Sequence, residues 1–356
     1  MLENKLIHIL GGSINQIELI KKAKQLGARV LVTDMYKNPL GRSYADFFEQ
    51  VDVTNKIDTL SISRMYNIDA ILTIGSDLAV PTVAYIAEKL NLFGIGYKTS
   101  ILFTNKLHMK THLSKIIPDN IPNFKFFNNL NTINNSIHPD TTYIIKPINS
   151  QGSKGVYKIK GYKQEAILNS FKESKGEGVL LEKYIDGEEY AIESYIKDNT
   201  IPTLAISKKT HYLSNNCIDQ KVEFLGNIQR LTQIKLQKLN NLIIKNMGLK
   251  TGITHAEYKI DSSGTPYLME IAARGAGGNV STIITSYLNN IDILKTILLD
   301  SLFIQNKLII DKSNKLSLLE FFDFKLGEIE CIQIDYPIID LNCNFFSLSL
   351  KKGDKI

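Results

Sequence analysis

Within the first ninety residues the sequence changes period repeatedly, and that alternation restricts the fold more than any other feature. Residues 5–10 (KLIHIL) read as a buried strand, followed by Gly11-Gly12-Ser13 and a helical pattern over 15–26 that Gly27 stops. Residues 29–34 (RVLVTD) form the next strand. A helix over 56–66 leads into a strand at 70–74, then Gly75-Ser76-Asp77 and a third helix ending at Leu90. Strands alternating with helices of this length need crossover connections, and so a parallel sheet. Gly11-Gly12 stands where a dinucleotide-binding turn would, but GGSINQ is not GxGxxG. A nicotinamide oxidoreductase is therefore the weaker reading of this turn. A loop at a strand's carboxyl end can still take part of a substrate.

From Gly94 the character changes. Residues 100–114 read as one helix carrying Lys106, with Pro118 and Pro122 beyond it, and 128–139 as a polar surface element. Residues 143–147 form a strand ending in Lys146-Pro147. Then come Gln151-Gly152-Ser153-Lys154-Gly155-Val156 and a further strand to Lys160. This is strand, glycine-rich loop, strand, not the strand–loop–helix of a P-loop. Such a loop can fold over phosphates with its N–H groups, the Ser153 hydroxyl and Lys154, although its composition also suits a plain turn. Residues 178–193 (GVLLEKYIDGEEYAIE) give two strands about a polar hinge. An extended hinge can match the hydrogen-bonding edge of adenine, and Glu189 can accept ribose hydroxyls; a β-turn with surface acids is the alternative. Residues 215–226 read as a loop with Arg230 beyond, and 232–247 as a helix closed by Gly248.

The stretch THAEYKIDSSGTPYLMEIAARGAGG, starting at Thr254, holds two short runs flanking the turn-forming Asp261-Ser262-Ser263-Gly264, which predicts a β-hairpin. Alternation puts Ala256, Tyr258 and Ile260 on one face and His255, Glu257 and Lys259 on the other. A register pivoting on mid-turn sets Glu257 opposite Leu268 and Glu270 opposite His255. The two glutamates are then diagonal neighbours, about 7–8 Å apart at the backbone. Two carboxylates on one face need a cation between them, and oxygen-only ligands suit Mg²⁺. Arg274 follows four residues after Glu270 and can hold an anion that the metal also touches. Gly275, Gly277 and Gly278 let backbone approach a ligand closely. Helices are expected over 281–287 and 291–302, and short β runs from 315 to 356, closing on KKGDKI.

A hydrophobic content of 44% and a charged content of 22% are ordinary for a soluble protein, and 356 residues suffice for two or three domains. The net charge of +6 is spread out as lysines, with no basic run interleaved with aromatics. This argues against nucleic acid and for small anionic substrates. Cys217, Cys331 and Cys343 lack metal or disulfide spacing, which fits a reducing cytoplasm. No signal peptide opens the chain and no apolar run approaches membrane-spanning length. Arginine occurs at only five positions, 29, 42, 64, 230 and 274, so a retained Arg230 or Arg274 weakly suggests a need for forked geometry.

Lys106, IIKP with Lys146, SQGSKGV, LEKYIDGEEY and the Glu257/Glu270 pair with Arg274, in this order, resemble the ATP-grasp superfamily. Within it, the GGS start, the GxTHxE strand and ExAARGAGG are similar to carboxylate–amine ligases of the L-amino-acid ligase type. The fold implied is α/β and α+β. A parallel pre-ATP-grasp domain (1–100) precedes a lid subdomain (101–187) and a catalytic subdomain (188–310), with a small β appendage (311–356). The resemblance implies that Lys106 and Lys146 contact the α- and β-phosphates of ATP and that Gln151, Gly152, Ser153, Lys154, Gly155 and Val156 form the lid loop. It gives Glu182 and the backbone of Lys183, Tyr184 and Ile185 to adenine, Glu189 to the ribose, and Glu257 and Glu270 to Mg²⁺. Arg274, with Gly277 and Gly278, would hold the substrate acyl-phosphate.

The implied reaction activates a carboxylate, expected to be an amino acid, as an acyl-phosphate that an amine attacks, with release of ADP and phosphate. Partners are then these small molecules, without nucleic acid or membrane, and a second copy of the chain is the candidate assembly. One departure stands out. The second glutamate is commonly followed two residues later by Asn as a further metal ligand, and here that residue is Ala272. Either Asn279 or water compensates, or one magnesium is held less tightly; a catalytically impaired nucleotide-binding or regulatory module is the alternative reading. His255 lies near the metal face but reads better as a satisfied structural histidine than as the base for the amine.

Overall fold

In the computed structural model, residues 1–212, 217–311, 314–322 and 327–330 are described. The first region runs β1 (Leu6–Leu10), α1 (Ile14–Gln25), β2 (Arg29–Asp34), β3 (Phe47–Gln50), α2 (Lys56–Tyr66), β4 (Ala70–Leu72) and α3 (Val80–Leu90). Its strands are all parallel in the order β3-β2-β1-β4. Every residue of β1 is buried, as expected of a parallel strand covered on both faces. His8 is satisfied inside this core, its ring nitrogens 3.0 Å from Ser63 Oγ and 3.0 Å from Thr33 Oγ1. Burial pushes its pKa down to about 3, so it is neutral. α1 starts with a capping box in which Ser13 and Gln16 satisfy each other's backbone N–H.

The helix expected over 100–114 is two helices, α4 (Tyr97–Thr104) and α5 (Lys106–Leu113). Asn105 between them has extended backbone, and its side-chain oxygen accepts from the N–H groups of Leu107 and His108, both at 3.0 Å. An asparagine that caps a new helix competes with continuation of the old one. The break makes Lys106 the first residue of α5, where its own N–H donates to Ile148 O at 2.8 Å.

Next, β5 (Phe124–Phe127), α6 (Leu130–Ile133), β6 (Thr142–Pro147), β7 (Tyr157–Lys160), α7 (Gln164–Glu173) and β8 (Val179–Lys183) build an antiparallel sheet ordered β5-β8-β6-β7. It has its own apolar core, including Phe127, Ile145, Ile159, Ile167 and Leu181.

The largest sheet comes from β9 (Glu188–Ile196), β10 (Thr203–His211), β11 (Asp219–Phe224), β12 (Gly252–Ile260), β13 (Pro266–Ala272) and β14 (Ser317–Glu320), ordered β13-β12-β9-β10-β11-β14. α8 (Arg230–Asn246) packs on its buried face through Leu236, Leu239 and Ile243, against Tyr258 and Ile271. β11 occupies half of what reads in sequence as a loop over 215–226. Its Val222 and Phe224 are buried and it pairs antiparallel with β10, so tertiary pairing overrides the turn-rich composition. Beyond β13 come a π-helical turn (Val280–Ile284), α9 (Thr285–Asn289) and α10 (Ile293–Ser301). α10 contributes Ile293, Leu294 and Leu298 to a core shared with β1 and β2 of the first sheet and with Tyr195 and Ile253 of the largest one. The N-terminal sheet is therefore seated on the large one.

The hairpin forms, with Ala256 and Tyr258 fully buried on one face, but its register differs from the expected one. Glu257 pairs directly with Glu270, and His255 with Ala272. Two causes combine. The loop is one residue longer than the four-residue turn, since Ile260 pairs with Pro266, and a β-bulge lies between Glu257 and Tyr258. Met269 is the extra residue, and no feature of composition marks it.

Residues 1–319 form one compact unit and 320–356 another. Most of the β appendage expected over 311–356, including the closing KKGDKI, lies outside the described residues. No helix among the described residues is long and apolar enough to cross a membrane.

Candidate active site

The break at Asn105, the β6–β8 pairing and the β12–β13 bulge bring three lysines and two glutamates together. Lys106 Nζ lies 3.4 Å from Glu270 Oε2 and donates to Ser150 O at 2.7 Å. Lys110, one turn further along α5, lies 3.2 Å from Glu182 Oε1, and Lys146 lies 3.0 Å from the same oxygen. The bulge presents carbonyls to these cations: Lys110 is 3.4 Å from Leu268 O and Lys146 is 3.5 Å from Met269 O. Burial pushes the Lys110 amine down to about 8 against the opposing pull of Glu182. Burial would raise Glu182, but Lys110 and Lys146 outweigh it and hold the carboxyl below its ordinary value. Glu182 thus neutralises two buried lysines. Its carboxylate is turned into this cluster, where the sequence reading gave it to adenine.

The hinge is built around a close approach. A Cβ on Gly187 would sit 2.0 Å from Ile260 O, so only glycine lets the chain cross the end of β12 between β8 and β9. The backbone N–H groups of Lys183 and Tyr184 donate to Asn123 O at 2.8 Å and Thr142 O at 3.1 Å. The exposed N–H edge expected across Lys183–Tyr184–Ile185 is therefore reduced to Ile185. Tyr184 lies between two ammonium groups, 3.8 Å from Lys158 and 4.7 Å from Lys259 to the ring centroid.

Across the large sheet the same face carries carboxylates interleaved with cations, Lys259 Nζ lying 3.8 Å from Glu189 Oε2 among them. Lys209 Nζ is 2.7 Å from Glu257 Oε1, 2.8 Å from Asp219 Oδ2 and 3.4 Å from Glu189 Oε1. Burial lowers its pKa, but these acids more than offset that and raise it well above the ordinary value. His211 lies 3.5 Å from Glu189 and 3.3 Å from Asp219, which raise it to about 9 against burial. His255 bonds Glu193 through Nδ1 and lies 3.2 Å from Glu257 through Nε2. Burial pulls it down and the two glutamates carry it up to about 9. With both ring nitrogens engaged, it is a structural histidine. Burial would raise Glu257, yet Lys209 and His255 hold it well below the carboxylate range, so it stays ionised.

Glu257 and Glu270, opposed in register on this face, offer oxygen donors only, which fits a hard divalent cation. Ala272 is buried opposite His255. Asn279, the residue considered as its substitute, has left-handed backbone, and its Oδ1 accepts from Thr282 Oγ1 at 3.2 Å.

Arg274 grips Asp77 of the loop after β4, Nε to Oδ1 at 2.9 Å and Nη2 to Oδ2 at 2.6 Å. Burial would lower its pKa, but Asp77 and Glu270 raise it further. The next residue must be glycine, because a Cβ on Gly275 would lie 2.5 Å from the Ser281 Cβ. Gly278 N–H donates to Asn15 Oδ1 at 3.3 Å, holding this loop to the first turn of α1. Ser281 Oγ donates to Glu193 Oε2 at 2.7 Å from the other side. Gln151 Oε1 accepts from Asp77 N–H at 2.8 Å, so one end of the glycine-rich loop is tied in. Gly152, Ser153 and Gly155 all have positive φ, as its sharp turns require. Val156 N–H donates to Ser153 O at 3.2 Å, while Ser150 Oγ donates to Lys154 O at 2.8 Å.

Sequence reasoning missed Asp77, Lys110, Glu193, Lys209, His211 and Asp219. Lys110 carried a signal, four residues from Lys106 on the same helical face. Asp77 carried another, at the carboxyl end of a parallel strand. The β10 and β11 residues needed knowledge of the pairing. Arg230 opens α8 and takes no part. At the Gly11-Gly12 turn, Asp34 Oδ2 accepts from Gly12 N–H and Oδ1 from Tyr36 N–H, at 2.8 and 2.9 Å. The acid that a dinucleotide site would turn to a ribose is committed to its own loops.

A parallel N-terminal sheet, a four-stranded antiparallel sheet and a six-stranded sheet carrying paired glutamates make a mixed α/β architecture. The family model described as an ATP-grasp domain matches residues 140–283. The chain is similar to several ligases. It is 28% identical over 191 residues to the 3-methyl-D-ornithine–L-lysine ligase of Methanosarcina mazei, covering 53% of this chain but only 46% of that relative. It is 22% identical over 289 residues to an L-arginine-specific L-amino acid ligase of Bacillus subtilis, covering 77% of this chain and 69% of the relative. The crystal structure of an L-amino acid ligase from Bacillus licheniformis superposes with a TM-score of 0.81 at 20% identity, over 100% of this chain and 90% of that one.

Proposed function

We propose that the chain is an ATP- and Mg²⁺-dependent ligase that joins a carboxylate, an amino acid, to an amine with release of ADP and phosphate. The observation that carries this reading is a lysine cluster abutting two glutamates paired directly across the hairpin. Polyphosphate suits the first and a divalent cation the second. In this reading residues 1–100, 101–187 and 188–310 act as substrate, lid and catalytic parts, and the chain works in the reducing cytoplasm. Its macromolecular partner is a second copy, which sedimentation would reveal at twice the chain's mass.

A carboxylate resists nucleophiles because of its charge and resonance. An oxygen of the substrate carboxylate attacks the γ-phosphorus, the bond to the β-phosphate oxygen breaks, and ADP leaves. The amine then attacks the acyl carbon and phosphate departs with the former carboxylate oxygen. Phosphoryl transfer of this kind depends on positioning and charge neutralisation. Lys106 and Lys146 face the α- and β-phosphates, and Gln151–Val156 cover the chain of phosphates with Lys154 at their tip. Glu182 keeps both Lys110 and Lys146 in place, Ile185 N–H meets adenine, and Glu189 with Asp219 takes the ribose hydroxyls. Glu257 and Glu270 would hold Mg²⁺, which supplies positive charge at the transferred phosphoryl group. Arg274 offers its fork to the acyl-phosphate, with Gly277 and Gly278 allowing close approach. His255 is not the base for the amine, since Glu193 and Glu257 occupy both ring nitrogens.

The test is to incubate the protein with ATP, Mg²⁺ and pairs of amino acids, measuring nucleotide products. ADP and phosphate should appear with one or more pairs; AMP and pyrophosphate with an active pair would rule the mechanism out.

A further inference from the structure

Resting on that reading, we infer that Asp77 is a positioning residue that sets the orientation of Arg274 and couples it to docking of the lid loop. Arg274 has five N–H donors in a fixed plane. Asp77 takes the Nε–Nη2 edge with two bonds, and Nη1 donates to Gly275 O at 3.2 Å. One N–H on Nη1 and one on Nη2 remain for an incoming anion. An untethered arginine would present either edge and lose rotamer freedom on binding.

The same residue reaches the lid through its backbone, by the Asp77 N–H to Gln151 Oε1 bond of 2.8 Å. Gln151 begins the glycine-rich loop, whose other anchor is Ser150 O on Lys106 Nζ. A side chain on the arginine and a main-chain donor on the lid therefore belong to one loop, residues 75–77. That loop is itself wedged, since a Cβ on Gly75 would lie 2.9 Å from the Asn15 Cβ, and Asn15 also holds Gly278 N–H at 3.3 Å. Docking of Gln151 and alignment of Arg274 thus share one rigid support. An undocked lid leaves the acyl-phosphate fork unset and open to water.

Asp77→Asn keeps the backbone N–H and the side-chain volume but replaces one of the two acceptors with a donor. The full chain is followed by hydrogen exchange with and without the non-hydrolysable analogue AMP-PNP and Mg²⁺. In the unmodified protein, protection should rise together at 151–156 and at 274–278. In Asp77→Asn it should rise at 151–156 alone, with a melting temperature within a few degrees of the parent. Equal protection of both segments in the variant overturns the inference. Absence of any nucleotide-induced protection in the unmodified protein overturns the ATP reading, and the inference with it. With an active substrate pair, amide formed per phosphate released should fall at least twofold in Asp77→Asn, because water replaces the amine and returns the free carboxylate. Asp77→Glu should restore part of it. An unchanged ratio accompanied by a lower melting temperature would make Asp77 a plain inter-lobe ion pair.

Discussion

The two charged clusters on either side of the hairpin balance their charges differently. Around α5, β6 and β8, Lys106, Lys110 and Lys146 outnumber Glu182 and Glu270. Across β9–β12, Glu189, Glu193, Asp219 and Glu257 are matched in number by Lys209, Lys259, His211 and His255, with both histidines protonated. Both are too deeply placed for solvent to erase the difference. The excess cation of the first suits phosphate, and the carboxylates of the second suit a metal and hydroxyl groups. They meet at the directly paired Glu257 and Glu270, where a metal-bound phosphate would need both. Without ligand, each cluster uses its own lysines to offset its own acids, which is how buried charge stays affordable.

The comparison breaks most readily at the meeting point. Glu270→Gln preserves shape, removes the charge facing Lys106 and leaves the hairpin paired. Phosphoryl transfer should fall about a thousandfold or more while the melting temperature stays close to the parent's. Normal turnover would remove Glu270 from the reaction, and unfolding would make the pair structural. Within the cation cluster, Lys146→Met should weaken ATP binding by about 10–100-fold, the worth of one or two bonds to a charged group, as read by titration calorimetry. Binding unchanged by this substitution would place the phosphates elsewhere.

The smallest effect concerns pH. Lys110 is pushed down to about 8, so it is charged below that value and loses its proton above it. Nucleotide affinity should hold level up to about pH 8 and then decline severalfold by pH 9.5. In Lys110→Met this decline should be absent. A decline that persists in the variant would assign it to another group.

Much of this fold was legible because hydrophobic period and punctuation survive in sequence. The strand–helix alternation of the first ninety residues, the hairpin's buried Ala256–Tyr258 face and the order of Lys106, Lys146, Glu257, Glu270 and Arg274 all came through. What did not come through depends on tertiary pairing or on one residue's local choice. Asn105 splits a helix because its side chain caps the second half better than its backbone continues the first. Met269 shifts the register by one and the longer loop by one more, which turns diagonal glutamates into a direct pair. β11 is a strand only because β10 lies beside it. Lys209 and Asp219 were silent for the same reason, since their partners are distant in sequence and adjacent only in the sheet.

The central claim, that phosphate belongs to the lysine cluster and metal to the glutamate pair, is tested most directly by a crystal structure with AMP-PNP and Mg²⁺. The account predicts phosphate oxygens in hydrogen-bond contact with Lys106 and Lys146 and a cation ligated by Glu257 and Glu270, with adenine at Ile185. Triphosphate bound instead at Gly11–Ser13, with Glu257 still paired to Lys209 and Glu270 to Lys106, would contradict it.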